Sequence, residues 1–225
     1  MQEVHNPYHA AIETLNLAGA DYVIVGGFSL IMHGSNRFTP DINVAVSLEN
    51  DNPIKFVSAI IDAGLEPPVG VNTSLYADPE IRSKWFNEKS MRFLIFTDKE
   101  LPTFSIQLFN EYPQPMSFPE LLADSVEIDI AGHKTKICSK QHLIAMKKIA
   151  WRNQDRDDVE VLTLIDSLGD KIFSKDEIDK LVAIEEGSFA RERLLSLYDF
   201  NQMTHSEKAN WLKNMLTALG GFCIL

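Results

Sequence analysis

The stretch 22-YVIVGGFSLIMHGSNRFTPDINVAV-46 decides how the rest of the chain is read. Tyr22, Val23, Ile24 and Val25 form a short apolar run of the kind that makes a buried strand, and it breaks at Gly26-Gly27. The spacing predicts a helical segment from Phe28 to His33, a polar turn at Gly34, Ser35 and Asn36, and a second strand from Asp41 to Val46. Paired glycines after a strand let backbone N–H groups come close to a phosphate, and the N-terminus of the helix that follows adds partial positive charge. Along Asp41–Val46 the parity of a strand puts Ile42, Val44 and Val46 on one face and Asp41, Asn43 and Ala45 on the other.

A strand, Gly-Gly, a spacer and a carboxylate at the head of the next strand resemble the nucleotidyltransferase superfamily, the polymerase-beta-like fold. Thirteen residues lie between Gly27 and Asp41, and the series Gly26-Gly27, His33-Gly34, Arg37-Phe-Thr39 and Asp41-Ile-Asn43 is similar to that of small bacterial members. Relatives of this type include antibiotic nucleotidyltransferases, CCA-adding enzymes and toxins of abortive-infection systems. The resemblance covers residues 20–46 closely and 103–168 loosely. It implies an acidic cluster that holds Mg2+ against a triphosphate, with the family's second acid at Asn43 and its third on the later strand Thr103–Phe109, where the position falls on Gln107. Two of the three expected carboxylates are therefore amides. Asp41, Asn43 and Gln107 form the candidate catalytic set, with Asp41 the metal ligand. The nucleotide-binding set implied by the family is Gly26, Gly27, Ser29, Arg37, Thr39 and Lys147.

Mg2+ prefers hard anionic oxygens, so one carboxylate and two amides would hold it less tightly than three carboxylates. Candidate substitutes for the missing acids are Asp98, Glu100, Glu111 and Asp129, although Glu127 and Asp129 read more simply as a solvated hairpin face. Cationic help is expected from Leu143–Trp151, where Leu143, Met146, Lys147, Ala150 and Trp151 share one arc of a helix and Lys148 points away. A lysine inside an apolar stripe needs a partner, and a phosphate or Asp41 is the natural one. Arg37 could contact phosphates, Thr39 could tie down its turn, and Arg152 with Asp155 could form a local ion pair at a helix end.

The reading that follows is a protein that binds an NTP at Gly26-Gly27 and Asp41, with Mg2+-dependent transfer weakened or lost, serving a regulatory or partner role. The alternative is an active enzyme moving NMP from NTP to a hydroxyl of a small molecule, RNA or protein. A Rossmann unit is disfavoured, because Gly-x-Gly-x-x-Gly is absent and the acid stands at the start of the next strand. No phosphate-loop Gly-Lys-Ser/Thr and no Gly-x-Ser-x-Gly elbow occurs.

The remaining chain supports a mixed α/β fold. Its 225 residues are 45% hydrophobic, and a formal net charge of -11 argues against general nucleic-acid binding. Two distant cysteines, Cys138 and Cys223, suggest a reducing cytoplasm, and neither a signal peptide nor a membrane-spanning apolar run is seen. Helices are expected over 9–17 and 53–63, and a short one carrying Trp85 and Phe86 within 79–88. Strands are expected at 91–96 and 104–109, a capping box at Ser117–Glu120, and a hairpin around 131–134. From Ser139 onward the pattern is helical, over 141–151, 157–168, and after Ser174 and Thr204. The expected organisation is a nucleotidyltransferase-like α/β domain over 1–138 with a helical region over 139–225 packed on it.

Overall fold

A computed structural model describes residues 7–168, apart from positions 34, 36–38, 114 and 131. Arg37 and the helices expected after Ser174 and Thr204 lie outside the described residues. Six strands form one sheet: β1 (Tyr22–Val25), β2 (Asp41–Val46), β3 (Phe93–Thr97), β4 (Ser105–Phe109), β5 (Val126–Ile130) and β6 (His133–Ile137). Their order is β3-β4-β2-β1-β6-β5. The β2–β4 and β1–β6 pairs are parallel and the others antiparallel. The helices are α1 (Pro7–Leu17), α2 (Gly26–Met32), α3 (Asn52–Asp62), α4 (Pro79–Lys89), α5 (Phe118–Ala123), α6 (Lys140–Ala150) and α7 (Asn153–Leu168), with a 3-10 turn at Thr73–Ala77.

Alternation along the strands divides the core in two. Ile24, Ile42, Val44, Val46, Ile106 and Leu108 belong to a cluster that also contains Ile12 and Leu15 of α1, Phe56 and Ile60 of α3, and Trp85 of α4. Trp85 is therefore core. Val23, Val25 and Ala45 point the other way and pack with Leu121 of α5, Leu143 of α6 and Leu162 of α7. The expected parity of β2 holds, but the face that carries Asp41 and Asn43 is not open along its length. Helices α5 to α7 cover Ala45, and only the end near Asp41 and Asn43 remains half-exposed.

Local chemistry explains the element ends. Ser117 and Glu120 make the expected reciprocal capping box on α5. The Asp78 side chain accepts from the N–H groups of Glu80 and Ile81 at the start of α4. At the hairpin, Gly132 takes φ +89°, and its N–H donates to Asp129 Oδ1 at 2.8 Å. With Ile130 opposite His133 in the register, β6 starts inside the stretch 131–134 where the hairpin turn is expected. The α7 helix likewise starts at Asn153, four residues before Asp157. Trp151 closes α6 in the left-handed region, and only Trp151 and Arg152 separate the two helices.

Candidate functional site

Register alone brings the candidate acids and amides together. Asp41 lies opposite Ser105, and Asn43 lies between Val25 on β1 and Gln107 on β4. All four polar side chains are half-buried on one face of the sheet. They form a continuous chain of hydrogen bonds. Thr39 Oγ1 donates to Asp41 Oδ1 at 2.5 Å, and Asn43 Nδ2 donates to Asp41 Oδ2 at 3.3 Å. Asn43 Nδ2 also donates to Gln107 Oε1 at 3.1 Å, and Gln107 Nε2 donates to Ser105 Oγ at 3.2 Å. Both oxygens of Asp41 are thus met by neutral donors, and one amide nitrogen joins the three positions where the family pattern expects carboxylates around a cation.

The glycine turn fits around this network. Gly26 adopts φ +68°, and a Cβ there would stand 2.1 Å from Asn43 Oδ1. A Cβ on Gly27 would meet Thr39 Oγ1 at 2.6 Å. The glycines consequently leave room for Asn43 and Thr39, a requirement the sequence does not reveal. They also begin α2, whose first-turn N–H groups have no acceptor within the helix.

Three of the candidate nucleotide-binding residues have partners within the protein. Ser29 is fully buried, and its hydroxyl donates to the carbonyl of Cys138 at 3.3 Å. His33 uses the same carbonyl at 2.7 Å. Burial holds the His33 pKa below its ordinary value, opposed by that hydrogen bond, and a neutral ring donating from Nε2 suits the site. Thr39 is buried too: its hydroxyl is engaged by Asp41, and its carbonyl accepts from Tyr8 of α1 at 2.8 Å. Lys147 is 6% exposed, as a lysine in an apolar stripe should be, but its partners are on α7. Its Nζ lies 3.2 Å from Asp155 Oδ1 and 2.6 Å from Asp158 Oδ2. Neither Asp41 nor an open phosphate position is its described partner.

Arg152 makes the helix-end ion pair with Asp155 that the sequence offered. Its backbone N–H and its guanidinium Nε both donate to Asp155 Oδ2, at 3.0 and 2.8 Å, while 72% of its side chain is exposed. The bonds to Asp155 raise its pKa most; burial opposes them, and the charges of Asp155, Asp158 and Asp41 add to the rise. Lys147, Arg152, Asp155 and Asp158 make a charge-balanced group at the α6–α7 junction. Its signal in sequence is the i, i+3 pair Asp155 and Asp158 following a lysine in an apolar stripe.

Burial tends to raise the Asp155 pKa, but the hydrogen bonds from Arg152 and Lys147 outweigh it and hold the carboxyl down to about 2. A carboxylate whose folded pKa is depressed contributes stability above its unfolded pKa and loses it as pH falls through the folded one. The contribution, on the order of 2 kcal/mol, is therefore complete above pH ~4 and lost between about pH 4 and 2. Urea melts of wild type and Asp155→Asn over that window should show a steep acid loss in the first. The second should start lower and follow a flatter slope.

Among the described residues, no group of three or more His, Cys, Asp and Glu is placed to hold a metal ion. Asp98 accepts from the N–H groups of Glu100 and Leu101 in its own turn, and Asp129 serves the β5–β6 hairpin, so neither replaces the missing acids at Asp41. An Mg2+ ion at Asp41 would have to displace both Thr39 and Asn43 from its oxygens. The donor set does not fit a tightly held Mg2+. Cys138 is fully buried, and burial raises its thiol pKa to about 12, so it is no nucleophile.

Comparison with solved structures finds similar chains at low sequence identity. The chain is similar to the lincosamide antibiotic adenylyltransferase LnuA, in a lincomycin-bound structure, at 12% identity and TM-score 0.48, over 70% of this chain and 95% of that one. It is also similar to an antigenic nucleotidyltransferase-like protein from Paracoccidioides brasiliensis, at 14% identity and TM-score 0.48, over 95% and 92% of the two chains. A third, JHP933 from Helicobacter pylori, aligns at 17% identity and TM-score 0.42 over 96% of each chain. No protein-family model and no curated protein matches. Among the described residues, no helix is long and apolar enough to cross a membrane.

Proposed function

We propose that this chain is a nucleotidyltransferase-fold protein that binds a nucleoside triphosphate at the Gly26-Gly27 turn beside Asp41, and that metal-dependent transfer at this site is weakened or lost. The observation that carries the reading is the Asn43 amide nitrogen, which donates to both Asp41 and Gln107. A metal between three carboxylates offsets their mutual repulsion and activates a hydroxyl; an amide between one carboxylate and one amide offsets nothing and has no open coordination position. The first-turn N–H groups of α2 and the exposed Arg152 guanidinium supply positive character for phosphates. A protein of this kind acts by binding, as a regulator or as part of a complex.

Titration calorimetry with ATP, GTP, CTP and UTP, each in EDTA and in Mg2+, tests the proposal. At least one NTP should bind, and its affinity should change by less than about threefold with the ion. Strongly Mg2+-dependent binding accompanied by pyrophosphate release would overturn the loss of transfer, and absence of binding to all four would overturn the nucleotide site.

A further inference from the structure

Tyr8 of α1 touches each of the three segments that build the Asp41 site. It is 1% exposed, and a phenol buried this deeply needs an acceptor for its hydroxyl. The Thr39 carbonyl accepts from it at 2.8 Å. Its ring stacks on Phe28, the residue after the Gly26-Gly27 turn, with centroids 5.9 Å apart and planes 13° from parallel. The same ring meets Phe104, the residue before β4, edge-on at 5.0 Å. Thr39 is thereby held at two points, because its carbonyl accepts from Tyr8 and its hydroxyl donates to Asp41 Oδ1. Pro40 restricts the backbone of the residue before it, and a β-branched side chain has few χ1 positions, so a fixed carbonyl fixes the direction of the Thr39 hydroxyl. That hydroxyl stands in the space that Gly27 leaves open.

We infer that Tyr8 is a positioning residue for this site: through the Thr39 carbonyl it keeps the Thr39 hydroxyl on Asp41, and so keeps one carboxylate oxygen closed to a cation. The inference rests on the reading of Asp41 as a site with weakened metal binding, and it adds α1 as the element that sets that state. With Thr39 released, Oδ1 of Asp41 is free for a hard cation, while Asn43 still donates to Oδ2. The gain in metal binding is therefore partial.

The test is Mn2+ titration of the full chain, followed by electron paramagnetic resonance, on two variants and their combination. Tyr8→Phe keeps the ring and removes only the hydroxyl, and Thr39→Val keeps the side-chain shape and removes the donor to Asp41. Each should bind one Mn2+ about fivefold more tightly than the wild type, and the double variant should gain no more than either alone, because both changes release the same oxygen. The melting temperature of Tyr8→Phe should fall by no more than about 5 °C. A hydroxyl that serves packing alone would lower the melting temperature and leave Mn2+ affinity unmoved. If Thr39→Val gains Mn2+ and Tyr8→Phe does not, Tyr8 does not position Thr39, and the weak metal binding of Asp41 stands. Gains that multiply in the double variant, or no gain in either single one, overturn the inference as well. If the wild type itself binds Mn2+ tightly, both readings fall.

Discussion

Replacing Asn43 and Gln107 together by aspartate is expected to lower the melting temperature in EDTA by on the order of 10 °C, and millimolar Mg2+ is expected to restore most of it. The size follows from charge. Asp41, Asn43 and Gln107 are already in hydrogen-bond contact along one face of β2 and β4, so the double variant would crowd three carboxylates into that space. At ~4 Å and an effective dielectric of about 20, each like-charged pair costs about 4 kcal/mol. Protonation of one acid relieves part of this, leaving about 3 kcal/mol, and each kcal/mol shifts a chain of this size by about 2–4 °C. The wild type, with a single carboxylate there, should change by no more than about 1 °C on adding the ion. Differential scanning fluorimetry in EDTA and in Mg2+ reads both. A double variant as stable in EDTA as the wild type would mean that the side chains do not meet as described.

Lys147→Ala is expected to destabilise the fold by about 3–5 kcal/mol, whereas Lys148→Ala should stay within about 0.5 kcal/mol. The asymmetry comes from burial. Asp155 is fully buried and Asp158 nearly so, and removing Lys147 leaves them with too little positive charge. Arg152 is anchored through Asp155, so the same substitution should loosen the α6–α7 junction and weaken NTP binding indirectly. Chemical denaturation of the two variants checks the first effect. Restoring stability in Lys147→Ala by adding Asp158→Asn would identify the uncompensated carboxylate as its cause.

The strands and their faces were legible in the sequence because β2 alternates cleanly and one face must be apolar. The resemblance to nucleotidyltransferases implied that Asn43 and Gln107 belong to one site, and the β2–β4 register puts them opposite each other. The partner of Lys147 was not legible. Residues 152–156 read as an inter-helix segment, and the left-handed turn at Trp151 that starts α7 at Asn153 has no glycine to announce it. The partners of Ser29 and Thr39 were hidden as well: the first hydroxyl meets the Cys138 carbonyl and the second Asp41. The reason for Gly26 and Gly27 was likewise hidden, since the side chains that need their space come from residues 12 and 17 positions later.

An Asn43 amide bridge stands where the resemblance to nucleotidyltransferases implies a metal, and Mn2+ titration followed by electron paramagnetic resonance distinguishes the two. The wild-type chain should leave Mn2+ free up to about millimolar concentration, whereas Asn43→Asp/Gln107→Asp should bind one ion at least about tenfold more tightly. One Mn2+ bound by the wild type as tightly as by the double variant, and lost in Asp41→Asn, would mean that Asp41 holds a metal despite its bonds to Thr39 and Asn43.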